Sequence, residues 1–250
     1  MIIENVSFRN NLGQRISGRI YRNDPTSPKG IIFCHGLFST KDGIKIKWLA
    51  PHFVNAGFTV LTFDFSFVGE SEGNISDLSI LQEALDLKCA FNFFKSYDIT
   101  DVHIVGSSVG GVVSLLFAAS GHAELKSLTL IAAPVMLAEL IKNIACIDDI
   151  ESLADNGITT IENIQIKNKF IEEIKFIDTA DAVSRVKCPS LIIHGKEDKV
   201  VDYSNAGYLE KNLKCEHKLI TIDGGDHNLT RESNLNIIKE NIISWIKKHS

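Results

Sequence analysis

Residues 102–119 read VHIVGSSVGGVVSLLFAA: a short apolar run, two serines among glycines, then a longer apolar run. Val102 to Val105 has the β-branched composition of a buried strand, while the stretch from Val109 has the length and composition of a helix. A strand that turns sharply into a helix presents the residue at the turn, and the positions two before and two after it are forced together. Around Ser108 those positions are Gly106 and Gly110, which have no side chains to collide. Around Ser107 they would be Val105 and Val109. Ser108 is therefore the candidate nucleophile; the plainer alternative is a serine that only caps the helix.

Working outward, apolar runs recur at GIIFCHG (30–36), FTVLTFDF (58–65), LKSLTLIAAP (125–134), PSLIIHG (189–195) and HKLITIDGG (217–225). Nearly continuous Val, Ile, Leu and Phe fit parallel strands covered on both faces. Helical spacing separates them. Asp77 is placed to cap a helix carrying Leu78, Leu81, Leu85, Cys89 and Phe93, and residues 202–214 and 234–248 repeat the pattern. IIENVSF and RISGRIY flank Asn10-Asn11-Leu12-Gly13 as an opening antiparallel pair, which disfavours an eight-fold barrel. The expected fold class is α/β: a mostly parallel eight-stranded sheet with helices on both faces. The rhythm breaks between Val135 and Asp178. Met136, Leu137, Leu140, Ile141 and Ile144 form one helical stripe there, and ITTIENIQIK suggests a hairpin. The expected division is a core of 1–134 and 179–250 with a cap at 135–178, over the strand ends where open sheets bind ligands. Leu140 and Ile144 are its expected substrate-facing residues.

Composition narrows the classes. The 250 residues are 44% hydrophobic and 23% charged, which excludes disorder, and 17 Gly with 5 Pro exclude a collagen-like chain. A net charge of −5 gives no basic footprint for nucleic acid. Five cysteines (34, 89, 146, 188, 215), odd in number and without CxxC, indicate a reduced, cytoplasmic setting. The N-terminus lacks a signal-peptide pattern, and Pro134 and Glu139 interrupt the longest apolar stretch, so no membrane span is expected. A homodimer is compatible with this composition.

A serine hydroxyl needs a base, and the base an orienting partner. His227, in GGDHN after the last strand, can lie at the sheet edge. Asp198 falls three residues beyond LIIHG, so the acid and the histidine come from neighbouring loops. Among the rivals, Asp202 is better explained as a helix cap, Asp226 would have to fold back on His227, and Asp223 and Asp178 sit at strand or cap borders. His35 and His194, each before a glycine at a strand end, are expected to bond loop backbone. No histidine spacing suggests a metal site. The developing oxyanion would need backbone donors, for which Val109, following the nucleophile, and Leu37, after the GIIFCHG strand, are the candidates.

HGLFST, FDFSFVGESEG, GSSVGG, LIIHGKEDKVV and GGDHN, in this order, resemble the α/β-hydrolase superfamily over almost the whole chain, and within it small bacterial serine esterases of the feruloyl-esterase and monoacylglycerol-lipase kinds. Two positions depart from those relatives. Phe67-Val68-Gly69 stands where Gly-His-Gly is usual, and Ser107 where many have His. The resemblance implies hydrolysis of small to medium carboxylic esters through an acyl-enzyme, with no cofactor. Thioesterase or acyltransferase activity would use the same groups, and a ligand-binding protein on this scaffold is the alternative from another class. Serine at the turn separates the chain from relatives that use Asp or Cys there.

Overall fold

The computed structural model describes residues 1–122, 124–145 and 157–250. Eight strands form the main sheet: β1 (Ile2–Arg9), β2 (Arg15–Arg22), β3 (Lys29–Cys34), β4 (Thr59–Phe63), β5 (Asp101–Ser107), β6 (Leu125–Ile131), β9 (Ser190–Gly195) and β10 (His217–Ile222). Their order is β1-β2-β4-β3-β5-β6-β9-β10. β2 pairs antiparallel with both β1 and β4, and every other pairing is parallel, so β2 alone runs against the rest.

Helices α1 (Ile44–Asn55) and α8 (Glu232–Lys248) cover one face. Phe53, Ile242 and Trp245 pack there against Ile31, Phe33 and Ile193. The opposite face carries α2 (Ile80–Lys95), α3 (Val109–Ala119), α6 (Thr179–Arg185) and α7 (Ser204–Asn212). Phe91, Val112, Val183 and Leu209 pack there against Ile32, Ile104 and Leu128. Burial on both sides is why these central strands are apolar without alternation.

The helix expected from Asp77 begins instead at Ser79, whose hydroxyl accepts from the Gln82 amide. Its stripe is also displaced: Leu81 and Leu85 face solvent, while Leu87, Phe91 and Phe94 are buried beside Gln82, Glu83 and Asp86. A polar network makes the difference. Asp86 accepts from Asn10, Gln82 and the Ser66 amide at 2.8–2.9 Å, tying the β1–β2 turn to α2. Hydrophobic spacing does not anticipate a helix face buried on its polar residues.

Between β6 and α6 lie α4 (Leu137–Ala145), the hairpin of β7 (Ile158–Ile161) and β8 (Ile164–Lys167), and α5 (Lys169–Phe176). The hairpin turn has positive φ at both Glu162 and Asn163, as a two-residue hairpin connection of this hand requires. Leu137, Leu140 and Ile141 are the buried stripe of α4. Phe170 is buried, whereas Phe176 is 82% exposed.

Candidate active site

The chain leaves β5 and enters α3 through Ser108, held at φ 54° and ψ −128°. A non-glycine residue in this region costs about 1–3 kcal/mol and persists only where its surroundings impose it. The Ser108 amide donates to Ile131 O at 2.8 Å, and its carbonyl accepts from the Gly111 amide at 2.8 Å. The crossing is so tight that a Cβ on Gly106 would strike the Gly110 carbonyl oxygen, and one on Gly110 the His35 carbonyl oxygen.

Ser108 Oγ lies 3.0 Å from His227 Nε2, and His227 Nδ1 lies 2.8 Å from Asp198 Oδ2. With Nδ1–H donating to the carboxylate, Nε2 is free to accept the serine proton. Asp198 is buried, and its other oxygen accepts from the Val200 and Val201 amides at 2.9 and 2.8 Å. Burial alone would raise its pKa, but hydrogen bonds from His194, His227 and Val201 outweigh this and hold the carboxyl well below the usual range. It therefore stays an acceptor opposite the imidazole.

The rival acids are engaged elsewhere. Asp226 accepts from the Leu229 amide, Asp202 from the amide of Ser204, the first residue of α7, whose N-cap position is held by Tyr203 rather than Asp202, and Asp178 from the Asp181 amide at the start of α6. Asp223 is an exposed partner of Lys196. His35 Nδ1 contacts the Gly36 carbonyl while Nε2 accepts from the Phe65 amide, and burial lowers its pKa. His194 Nε2 donates to Val201 O at 2.9 Å, so it braces the loop bearing Asp198.

The loop after β3 approaches Ser108 closely: a Cβ on Gly36 would lie 3.0 Å from the Ser108 Cβ. Leu37 and Val109 both line the same cavity, and among the described residues neither amide has an acceptor. That cavity has a volume of about 570 Å³, the scale of a small-molecule site. Leu140 and Ile144 of α4 and Glu162 of the hairpin form part of its wall.

One wall residue was not singled out from the sequence. Lys45, in the first turn of α1, donates to Ser107 Oγ at 2.8 Å, and burial pushes its amine down to about 8, against the opposing effect of Asp198 and Asp226. In IKIKWLA the alternation gives no sign which lysine turns inward; two residues apart on α1 they point to opposite faces, and Lys47 is the exposed one. Ser107, the position where many relatives have His, here accepts from this amine. The second departure also has a structure. Phe67 adopts φ 79°, and the surrounding loop is gripped by Asp64, which accepts from the Glu70 amide at 2.9 Å and pairs with Lys41 at 2.7 Å.

A family model described as the alpha/beta hydrolase fold matches residues 30–149, just under half the chain. Among curated proteins, mouse mitochondrial palmitoyl-protein thioesterase ABHD10 is 23% identical, the match covering 88% of this chain and 76% of that protein. Among solved structures, ferulic acid-bound Est1E from Butyrivibrio proteoclasticus superposes with a TM-score of 0.88 at 21% identity, covering 98% of each chain. Alpha/beta hydrolase domain-containing protein 10 from mouse gives 0.82 at 20% identity, over 99% of this chain and 100% of that one. The architecture is the α/β-hydrolase fold. No helix among the described residues is long and apolar enough to cross a membrane.

Proposed function

We propose that this chain, which has the α/β-hydrolase fold, is a serine hydrolase that cleaves small to medium carboxylic esters through an acyl-enzyme. The observation that carries the reading is the unbroken hydrogen-bonded sequence Ser108–His227–Asp198, begun by a serine in a strained backbone conformation at the floor of a cavity. Ser108 Oγ attacks the acyl carbonyl as His227 Nε2 takes its proton, and buried Asp198 stabilises the imidazolium that forms. The Leu37 and Val109 amides receive the negative charge on the carbonyl oxygen, each such donor being worth about 3–4 kcal/mol in the transition state. His227 returns the proton to the leaving alcohol, and water, activated by the same base, releases the acid. Within the expected cap segment 135–178, of which 146–156 lie outside the described residues, residues 135–145 and 157–178 act as the cap, with Leu140 and Ile144 as an apolar wall for the acyl chain.

A thioesterase is the second reading, favoured by the name of the mouse relative; a thiol leaving group needs no other residues. The cytoplasmic setting rests on Cys34, Cys89, Cys188 and Cys215 being free thiols; Cys146 lies outside the described residues.

The test is intact-mass analysis after fluorophosphonate treatment, with turnover measured on ester and thioester substrates. Wild type should gain one adduct that Ser108→Ala lacks, and the variant should lose roughly 10⁴–10⁶ in kcat while keeping its fold. Esterase activity retained by purified Ser108→Ala would overturn the reading.

A further inference from the structure

The group in the cavity that this mechanism leaves unused is Lys45. Its ammonium can donate three hydrogen bonds. Among the described residues it makes one, to the Ser107 hydroxyl, and has no carboxylate as an ion-pair partner. Its position adds a second cost. Lys45 lies in the first turn of α1, where the helix dipole disfavours a cation, and that turn has no acidic residue and no side-chain cap to offset it. Partial burial at the cavity wall pushes the amine down to about 8. Asp198 and Asp226 favour its charge at longer range, but a half-buried cation that faces a cavity and bonds one hydroxyl there is placed to be stabilised further by an anion arriving with the ligand.

The cavity also limits what that anion can be. Lys45 is the sole Lys or Arg among the described residues lining it and Glu162 is an anionic wall residue, so at most one negative charge is matched and a multiply charged phosphate is not. Ser39, Asn228 and Thr230 line the same cavity and provide neutral donors, while Leu140 and Ile144 provide apolar wall. Lys45, Ser107 and Ser108 line the same cavity, so a carboxylate bound to the lysine shares that space with the attacking serine.

We propose that Lys45 is a specificity-determining residue that binds a carboxylate of the substrate, so that the preferred substrates are short esters or thioesters bearing a second, free acid group. This rests on the serine-hydrolase reading for its reaction but not for its binding event, and the experiment separates the two.

Values of kcat/KM would be measured on two matched pairs: monomethyl adipate against methyl hexanoate, with the acid on the acyl side, and carboxymethyl hexanoate against ethyl hexanoate, with the acid on the leaving group. Wild type, Lys45→Met and Lys45→Arg would be compared. Adipate binding to Ser108→Ala, with and without Lys45→Met, would be followed by calorimetry. A charge-assisted hydrogen bond corresponds to about 10- to 100-fold. For at least one pair the acid-to-neutral ratio should fall by that factor in Lys45→Met and be largely retained in Lys45→Arg, and adipate should bind about tenfold more weakly without the lysine. The responding pair identifies the side of the ester that carries the acid. Ratios and adipate affinity both within twofold of their Lys45 controls would overturn the proposal, whether or not the enzyme turns over. Lysine-dependent adipate binding by a wild type that hydrolyses none of the esters would uphold the carboxylate site and overturn the hydrolase reading instead.

Discussion

Lys41 and Lys45 lie four residues apart, on either side of the entry to α1, and both turn their amines inward. Lys41 is only 2% exposed, yet it is fully answered: Asp64 and Glu70 each accept from Nζ at 2.7 Å. Burial works against its charge, but the two carboxylates prevail and hold its pKa above the ordinary value. Lys45 meets one hydroxyl, and burial prevails, bringing its amine to about 8. A buried charge surrounded by its counter-ions is part of the scaffold, here the clamp that closes the loop through Phe67. Lys45 is half-buried at a cavity wall, with one hydroxyl bonded to it and Asp198 and Asp226 acting only at longer range, so its charge is open to a ligand.

The sharpest way to break this contrast is to remove each charge in turn. Lys41→Met leaves Asp64, which has no exposure, without its cation, and should destabilise the chain by about 3–5 kcal/mol. Chemical denaturation would measure it, and a loss below about 1 kcal/mol would mean that the clamp is not structural. Lys45→Met removes an uncompensated charge, so its melting temperature at pH 7 should equal or exceed that of wild type. A clear drop would assign Lys45 to the scaffold as well.

The two amines should also respond to pH with opposite signs. Lys45 has a folded pKa below the unfolded value of 10.5, so its burial cost is full below about pH 8 and is relieved between about 8 and 10.5. Lys41 has a folded pKa above its unfolded value, so its contribution is full below 10.5 and is lost as pH rises through the folded value. Any stability advantage of Lys45→Met should therefore shrink from pH 8 upward, which paired denaturation curves at pH 7 and 10 would show.

Turnover should follow the same group. As pH rises through about 8, Lys45 loses its charge and the preference of wild type for an acidic ester over its neutral counterpart should fall several-fold; Lys45→Met should lack this step. The groups facing the same space are His227, Asp198, Asp226 and Glu162, and taking the ratio of two esters cancels their common effect on the chemical step. The smallest effect belongs to the wall away from the lysine. Ile144→Ala should shift the preferred acyl chain longer by one or two carbons in an ester series, with an unchanged profile counting against the cap.

The residues of the candidate site that could be read from the chain are those whose chemistry is local. Gly106 and Gly110 frame Ser108 because the turn tolerates no Cβ, and the order serine, Asp198, His227 follows from three strand–loop junctions. Lys45 was not legible, because in an amphipathic helix start a lysine ordinarily marks the solvent face, as Lys47 does. Leu81 and Leu85 misled in the opposite direction: apolar spacing assigned them to the core, whereas the network of Asn10, Gln82 and Asp86 turns the polar side of α2 inward.

What the sequence by itself determined was the alternation of strands and helices, the serine at the tight turn and the loops that bear the acid and the histidine. Each is written in short-range features: residue volume, β-branching, and glycines where side chains would collide. The tertiary structure alone decided which charged side chains turn inward and whether they find a partner there. Desolvation and ion pairing depend on groups far apart in sequence, such as Lys41 with Asp64, or Lys45 with Ser107, and are set only when the chain brings them together.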